Sequence, residues 1–529
     1  MKSFARAALV GIVALSPPSE LPFEHAPAAE AQLGSVNFST SCTTKTQSTM
    51  NEGVALLHSF QYQQAEAAFG RAAEQDPECA MADWGRAISL YHELWDFPDD
   101  GTLAKGRGFV EQAQKLGGKT QLERDYISAA AAFYAANEKL THTSRIEFYS
   151  RAMAQVYRDS PQDPDAAAFY ALSLVSLAYD EDELPNRHKA IAILEPMFEQ
   201  HPDHPGLAHY LIHAADTPEL APQGLAAARA YAKIAPDSSH ALHMPSHIFT
   251  RLGLWQESID SNVAAAAAAA KATRAQQADA SYQLHAMDFL NYAYLQSGQE
   301  AKAREVLRDL RTVPGASADD MADHAGWFAS RDALELHRWR DAAALEIPNV
   351  KLSGQASTYF VRVMGAARSG DPKGARRDLK KLEEATSAER RESKRAGYDT
   401  SSGRSIDELE VEAWIEFAEG RGDQALKTLR AAADRQDAEG VDSLAMPARE
   451  MLGDMLLELK RSPDALREYR ASLKESPNRF DGLWGAAQAA QSAGDLRAAK
   501  EYYTKLLNVC PVAADRPELE EARGYLAAK

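Results

Sequence analysis

Apolar residues along this chain recur at i, i+3, i+4 and i+7 in one alanine-rich segment after another, separated by short Gly, Asp or Pro breaks. That period predicts amphipathic helices. No convincing run shows the alternation of a half-buried strand. The expected fold class is all-α.

The helices repeat. Pro202 and Pro236 lie 34 residues apart, each closing one helix and opening the next. Ala65, Phe69, Ala72 and Pro77 set a pattern of small residue, aromatic, small residue and proline. Ala465, Tyr469, Ser472 and Pro477 repeat it, and Gly494, Ala499 and Tyr503 continue it. Small residues allow adjacent helices to approach closely, and the aromatic fills the hole beside them. On these residues the chain resembles the tetratricopeptide (TPR) repeat family, whose period is 34 residues.

The resemblance implies a right-handed superhelical solenoid of helix–turn–helix units, of which roughly nine or ten would fill the chain. Inter-helix turns are expected near Ala215, Gly253, Gly298, His337, Gly370, Gly420 and Lys460. Irregular loops are expected at 96–106, 312–322 and 386–405, the last a solvated charge run from Glu389 to Arg395. The segments divide into an array over 32–310, middle repeats over 311–405 and a C-terminal array over 406–529. The resemblance also implies a concave groove lined by positions 2, 5, 9 and 12 of each unit's first helix. It brings no activity with it.

Histidine is distributed unevenly. Fifteen occur, and eight lie between His201 and His285. In the repeat frame His209, His213 and Asp216 take inward positions 5, 9 and 12 of one unit. His240, His243 and His247 take positions 2, 5 and 9 of the next, and His285, Asp288 and Tyr292 those of the third. His209/His213 and His243/His247 are i,i+4 pairs whose ring nitrogens can converge on one cation. Asp216, Asp288 and Tyr292 can act as ligands or fix imidazole tautomers. Pro245 falls inside the histidine-bearing helix and should kink it.

This constellation predicts a divalent metal site built on His209, His213, His243 and His247, flanked by His240, His285, Asp216 and Asp288. Zinc, copper, iron and nickel all suit imidazole and carboxylate, and protons should displace the metal near pH ~6.5. Two other readings stay open. The groove can receive a peptide, as an interaction scaffold, or the imidazoles can move protons without a metal. Whether the protein is an enzyme is left open. His58, His92, His142, His188, His324 and His337 read as packing residues, while His201 and His204 read as capping or solvent-facing. Trp84, Tyr91, Trp95 and Trp255 read as inter-repeat packing, and Glu450 with Asp454 as a solvated acidic stripe.

Charge and cysteine content narrow the classes. With 76 acidic against 58 basic residues the formal charge is −18, which disfavours nucleic acid as a partner. The sequence carries no P-loop, G-x-S-x-G elbow or dinucleotide fingerprint, and His92-Glu93-Leu94-Trp95-Asp96 lacks the second histidine of HExxH. Lys2, Arg6 and the apolar run Ala7 to Leu15 precede Ala29-Glu30-Ala31, the layout of a signal peptide over 1–31. The expectation is a periplasmic or secreted protein, not integral to the membrane once cleaved. An oxidising destination permits a disulfide, and Cys42 with Cys79 is the natural pair, leaving Cys510 over. The whole layout resembles exported bacterial TPR proteins of undefined activity that carry similar HYLIH and HALHMPSHIF blocks.

Overall fold

The computed structural model of the chain describes residues 31–92, 94, 97–136, 140–177, 183–395, 404–511 and 513–528. Residues 1–30 of the expected signal peptide, and Trp95, lie outside them. Among the described residues the elements are helices, with no strand. Twelve helix pairs follow one another from Thr44–His58 with Tyr62–Gln75 to Phe480–Ser492 with Leu496–Val509, and Glu518–Ala527 covers the end. The array is an all-α superhelical repeat fold. The twelve exceed the nine or ten expected, and several are irregular; Trp339–Ala343, a second helix, has only 5 residues.

Packing follows the small–aromatic pattern. The Phe69 ring sits against Gly53 and Gly85, where an added Cβ would collide with it. Tyr469 sits in the same way against Gly453 and Gly485. One fully buried ring thus locks three consecutive helices, and close packing of this kind leaves no room for a methyl group. The inter-helix turns need a left-handed residue, supplied by glycine at 253, 298, 370, 420 and 494. Phe60, His337 and Lys460 adopt that conformation without being glycine.

Three expected loops contract. Helices Asp100–Leu116 and Ala318–Glu335 take up parts of 96–106 and 312–322. The charge run Glu389 to Arg395 is the helical end of Pro372–Arg395 and not a loop. Cys42 and Cys79 are joined by a disulfide with Cα atoms 4.9 Å apart, and Cys510 is a half-buried free thiol.

Residues 32–529 form one compact unit, and the solenoid is not fully extended. Its C-terminal repeats return to earlier ones between Trp255 and Glu335. Trp255 Nε1 donates to the Asn478 carbonyl at 2.7 Å, and the Phe480 amide donates to Gln296 Oε1 at 3.0 Å. Beneath them Arg479, 1% exposed, reaches Glu335 and Glu450 at 3.0 and 2.9 Å. Glu450 is therefore a buried ion-pair partner and not part of a solvated stripe. Asp454 accepts from the Tyr469 hydroxyl, a bond confined to its own repeat. Tyr292 also belongs to this clasp, because its hydroxyl accepts from Arg479 rather than facing the histidines. Among the described residues no helix is long and apolar enough to cross a membrane.

Candidate metal centre

Four short segments carry the histidines. Pro205–Ala215 opens with Pro205 at its first turn and His204 as N-cap, the His204 Nδ1 accepting from the Leu207 amide at 3.3 Å. The next first helix is split into Ser239–His243 and Pro245–Arg251. Met244 keeps right-handed helical torsions, so Pro245 costs a hydrogen bond without turning the chain sharply. The His247 amide then bonds the Met244 carbonyl, one residue tighter than an α-helix. His285 comes from Ser281–Gln296.

The six inward histidines form two neighbouring triads. His209, His213 and His240 are buried, each offering a ring nitrogen within 4.8 Å of the other two. His243, His247 and His285 meet the same limit, with His285 open to the groove. Across the boundary the closest rings, His213 to His247 and His240 to His243, have centroids 6.3 Å apart. The four residues expected to share one ion are thus divided between two sets, and His240 and His285 are full members, not flanking groups.

Hydrogen bonds fix the tautomers. Asn262 Nδ2 donates to the Ser258 carbonyl at 2.8 Å, which aims Asn262 Oδ1 at His243 Nδ1, 2.7 Å away. His247 Nδ1 donates to Asp216 Oδ2 at 2.9 Å. In its neutral form each ring therefore carries its proton on Nδ1 and a lone pair on Nε2. Those Nε2 atoms face each other at 3.1 Å. In the other triad, His209 Nδ1 donates to the His58 carbonyl at 2.6 Å, and its Nε2 lies 3.1 Å from His240 Nε2.

Asp216 is a supporting carboxylate. It accepts from His247 and, at 2.9 Å, from Arg251 Nε. Burial alone would raise its pKa, but Arg251 and His247 outweigh burial and hold it well below the usual carboxylate range. Asp288 bonds Arg331 at 2.6 Å and lines the same groove, at its wall. Desolvation, and then neighbouring imidazoles, push His209, His213, His240 and His243 well below their ordinary pKa. His285 falls to about 4 for the same two reasons. These five stay neutral and able to bind a cation well under the pH of ~6.5 expected from free imidazole.

A third cluster has a different chemistry. His58 Nε2 and His204 Nε2 both approach Asp165 Oδ1, at 2.8 and 3.2 Å. With His204 Nδ1 accepting from Leu207, its Nε2 must carry the proton given to Asp165. His58 Nδ1 meets the Tyr210 hydroxyl at 3.0 Å, and Gly206 leaves room for that ring. Burial opposes the Asp165 charge, but the hydrogen bonds from His204 and His58 prevail and lower its pKa. Every proton here has a partner, so the cluster is a satisfied buried network. His58 is accordingly a packing residue and His204 a cap, while Asp165 carried no sequence signal.

Beside the triads lies a cavity of about 870 Å³. Its wall includes five of the six histidines and Asp216, Asp279, Asp288 and Asp320, with no lysine or arginine among the described lining residues.

Comparison with protein families returns no match, and neither does a search of curated proteins. Among solved structures, a human IFIT1 dimer with m7Gppp-AAAA aligns at TM-score 0.38 and 13% identity, over 87% of this chain and 95% of that one. A human IFIT1 dimer with PPP-AAAA aligns at 0.36 and 14%, over 88% and 89%. At such scores the likeness carries nothing about the groove.

Proposed function

We propose that this chain is an exported TPR-type protein that binds a divalent transition metal in its histidine groove, through His243, His247 and His285. The observation that carries the reading is the pair of Nε2 atoms facing each other at 3.1 Å while both Nδ1 atoms are engaged by Asn262 and Asp216. Between neutral rings a bound cation stabilises such a pair. A proton would serve two nitrogens, whereas a metal serves three or four, and His285 brings the third. Ligands on bonds of ~2.0–2.1 Å in a tetrahedron are spaced at about 3.3 Å, close to the separation seen. Asn262 and Asp216 then act as the outer acceptors that metal-bound imidazoles usually have.

Three neutral nitrogen ligands leave a position for water or a small donor from the adjoining cavity. That cavity has the volume of a small-ligand site, which favours this reading over a peptide scaffold. The donor set suits zinc, copper, iron or nickel. Export is supported by the leader pattern and by the Cys42–Cys79 disulfide, which an oxidising compartment sustains. Elemental analysis of the purified mature protein, beside its His247→Ala variant, tests the metal. Bound metal that disappears in the folded variant supports the proposal, and a metal-free wild type after incubation with each of the four ions refutes it.

A further inference from the structure

We infer that the groove holds a second metal ion, in the inner triad His209, His213 and His240. This rests on the reading of the outer triad as a metal site, but on separate residues. All three rings are buried, at 0%, 3% and 4% exposure, and come from two consecutive repeats. The His58 carbonyl takes the Nδ1 proton of His209, so the His209 lone pair points at His240 Nε2, 3.1 Å away. His213 brings a ring nitrogen within 4.8 Å of both.

Phe60 makes this triad a built site. Its ring packs against all three imidazoles, edge-on to His209 and stacked on His213, with centroids 4.4 Å from His209 and 5.5 Å from both His213 and His240. It holds that place from an inter-helix turn with φ at 52°, a conformation that five other turns assign to glycine. A bulky side chain is strained there. The strain is offset locally, since the Tyr282 hydroxyl donates to the Phe60 carbonyl at 2.8 Å. The ring excludes water from one side, while His213 and His240 reach the cavity on the other. An all-imidazole set suits zinc, copper or nickel and gives magnesium, calcium or manganese no oxygen ligand.

Cobalt(II) titration of the full mature chain, followed by absorption of the bound ion and by elemental analysis after desalting, tests the inference. Two cobalt ions per chain are expected. One should remain in His213→Gln, and one, spectrally distinct, in His247→Ala. Phe60→Gly relieves the turn and uncovers the inner ion, and should speed its loss to a chelator by about tenfold or more while the outer ion is unaffected. A wild-type stoichiometry of one, lost in His247→Ala, overturns the inner site and leaves the outer one standing. In that case His240 donates an ordinary hydrogen bond to His209. A stoichiometry of zero defeats both proposals. The wild-type count decides the matter even where a variant fails to fold.

Discussion

His243 and His247 face each other through Nε2 atoms 3.1 Å apart, and in their neutral forms neither carries a proton there. Both Nδ1 protons are committed elsewhere, to Asn262 and to Asp216. The helix break at Pro245 lies between the two residues, yet the chain keeps its helical course, so an i,i+4 pair still converges.

Asp216 should matter to metal affinity without touching metal. Asp216→Asn weakens the acceptor that orients His247 and removes the charge facing Arg251. Metal affinity is expected to fall ~10–100-fold by competition with a chromogenic chelator. An unchanged affinity would mean that His247 is positioned by packing alone.

Among the described residues no helix precedes the first repeat, and the Cys42–Cys79 bridge closes a loop across 37 positions. Loop-closure entropy puts its contribution at about 3–4 kcal/mol. Denaturant unfolding of Cys42→Ser/Cys79→Ser should show loss of that order, with early unfolding of Thr44–Gln75 by hydrogen exchange. Equal stability with and without the bridge would contradict this.

The clasp between C-terminal and middle repeats should be pH-sensitive. Burial raises the Glu450 pKa from 4.5 to about 7, against the opposing pull of Arg479, with Asp481 and Glu335 adding to the rise. Folded protein then binds more protons at this group than unfolded protein does between pH 4.5 and about 7. Its contribution is full below 4.5 and is lost as pH rises through about 7, a change on the order of 3 kcal/mol. Glu450→Gln should flatten the dependence of denaturation midpoint on pH across that window. A slope identical to wild type would place the titration elsewhere.

Tyr469 is the aromatic wedge of a C-terminal repeat, packed against Gly453 and Gly485. Tyr469→Ala opens a cavity and removes the hydroxyl that Asp454 accepts from, at a cost of about 3–5 kcal/mol. Calorimetry should show a lower Tm for the C-terminal repeats, and a change under ~1 kcal/mol would reject the wedge role.

The fold was legible because its packing rule is local: a small residue, an aromatic and a proline at fixed offsets recur at Ala65 and at Ala465. The histidine groove was legible through register, since inward positions follow from the repeat frame. Its partition into two triads was not, because it depends on how two helices rotate about each other. Phe60 looked like an ordinary apolar residue; that it occupies a glycine-type turn could have flagged it. Arg251 and Asp165 act across repeats and Asn262 across the two helices of one repeat, where one sequence carries no pairing signal. The return of Arg479 to Glu335, 144 positions earlier, depends on the accumulated curvature of many units.

The central claim is that a metal joins His243, His247 and His285. Anomalous X-ray scattering at the absorption edge of the bound ion, from crystals of metal-loaded mature protein, addresses it directly. The account predicts an anomalous peak about 2 Å from the Nε2 atoms of His243 and His247 and from a ring nitrogen of His285. A loaded crystal without a peak there, with the two Nε2 atoms still at hydrogen-bond distance, would contradict it.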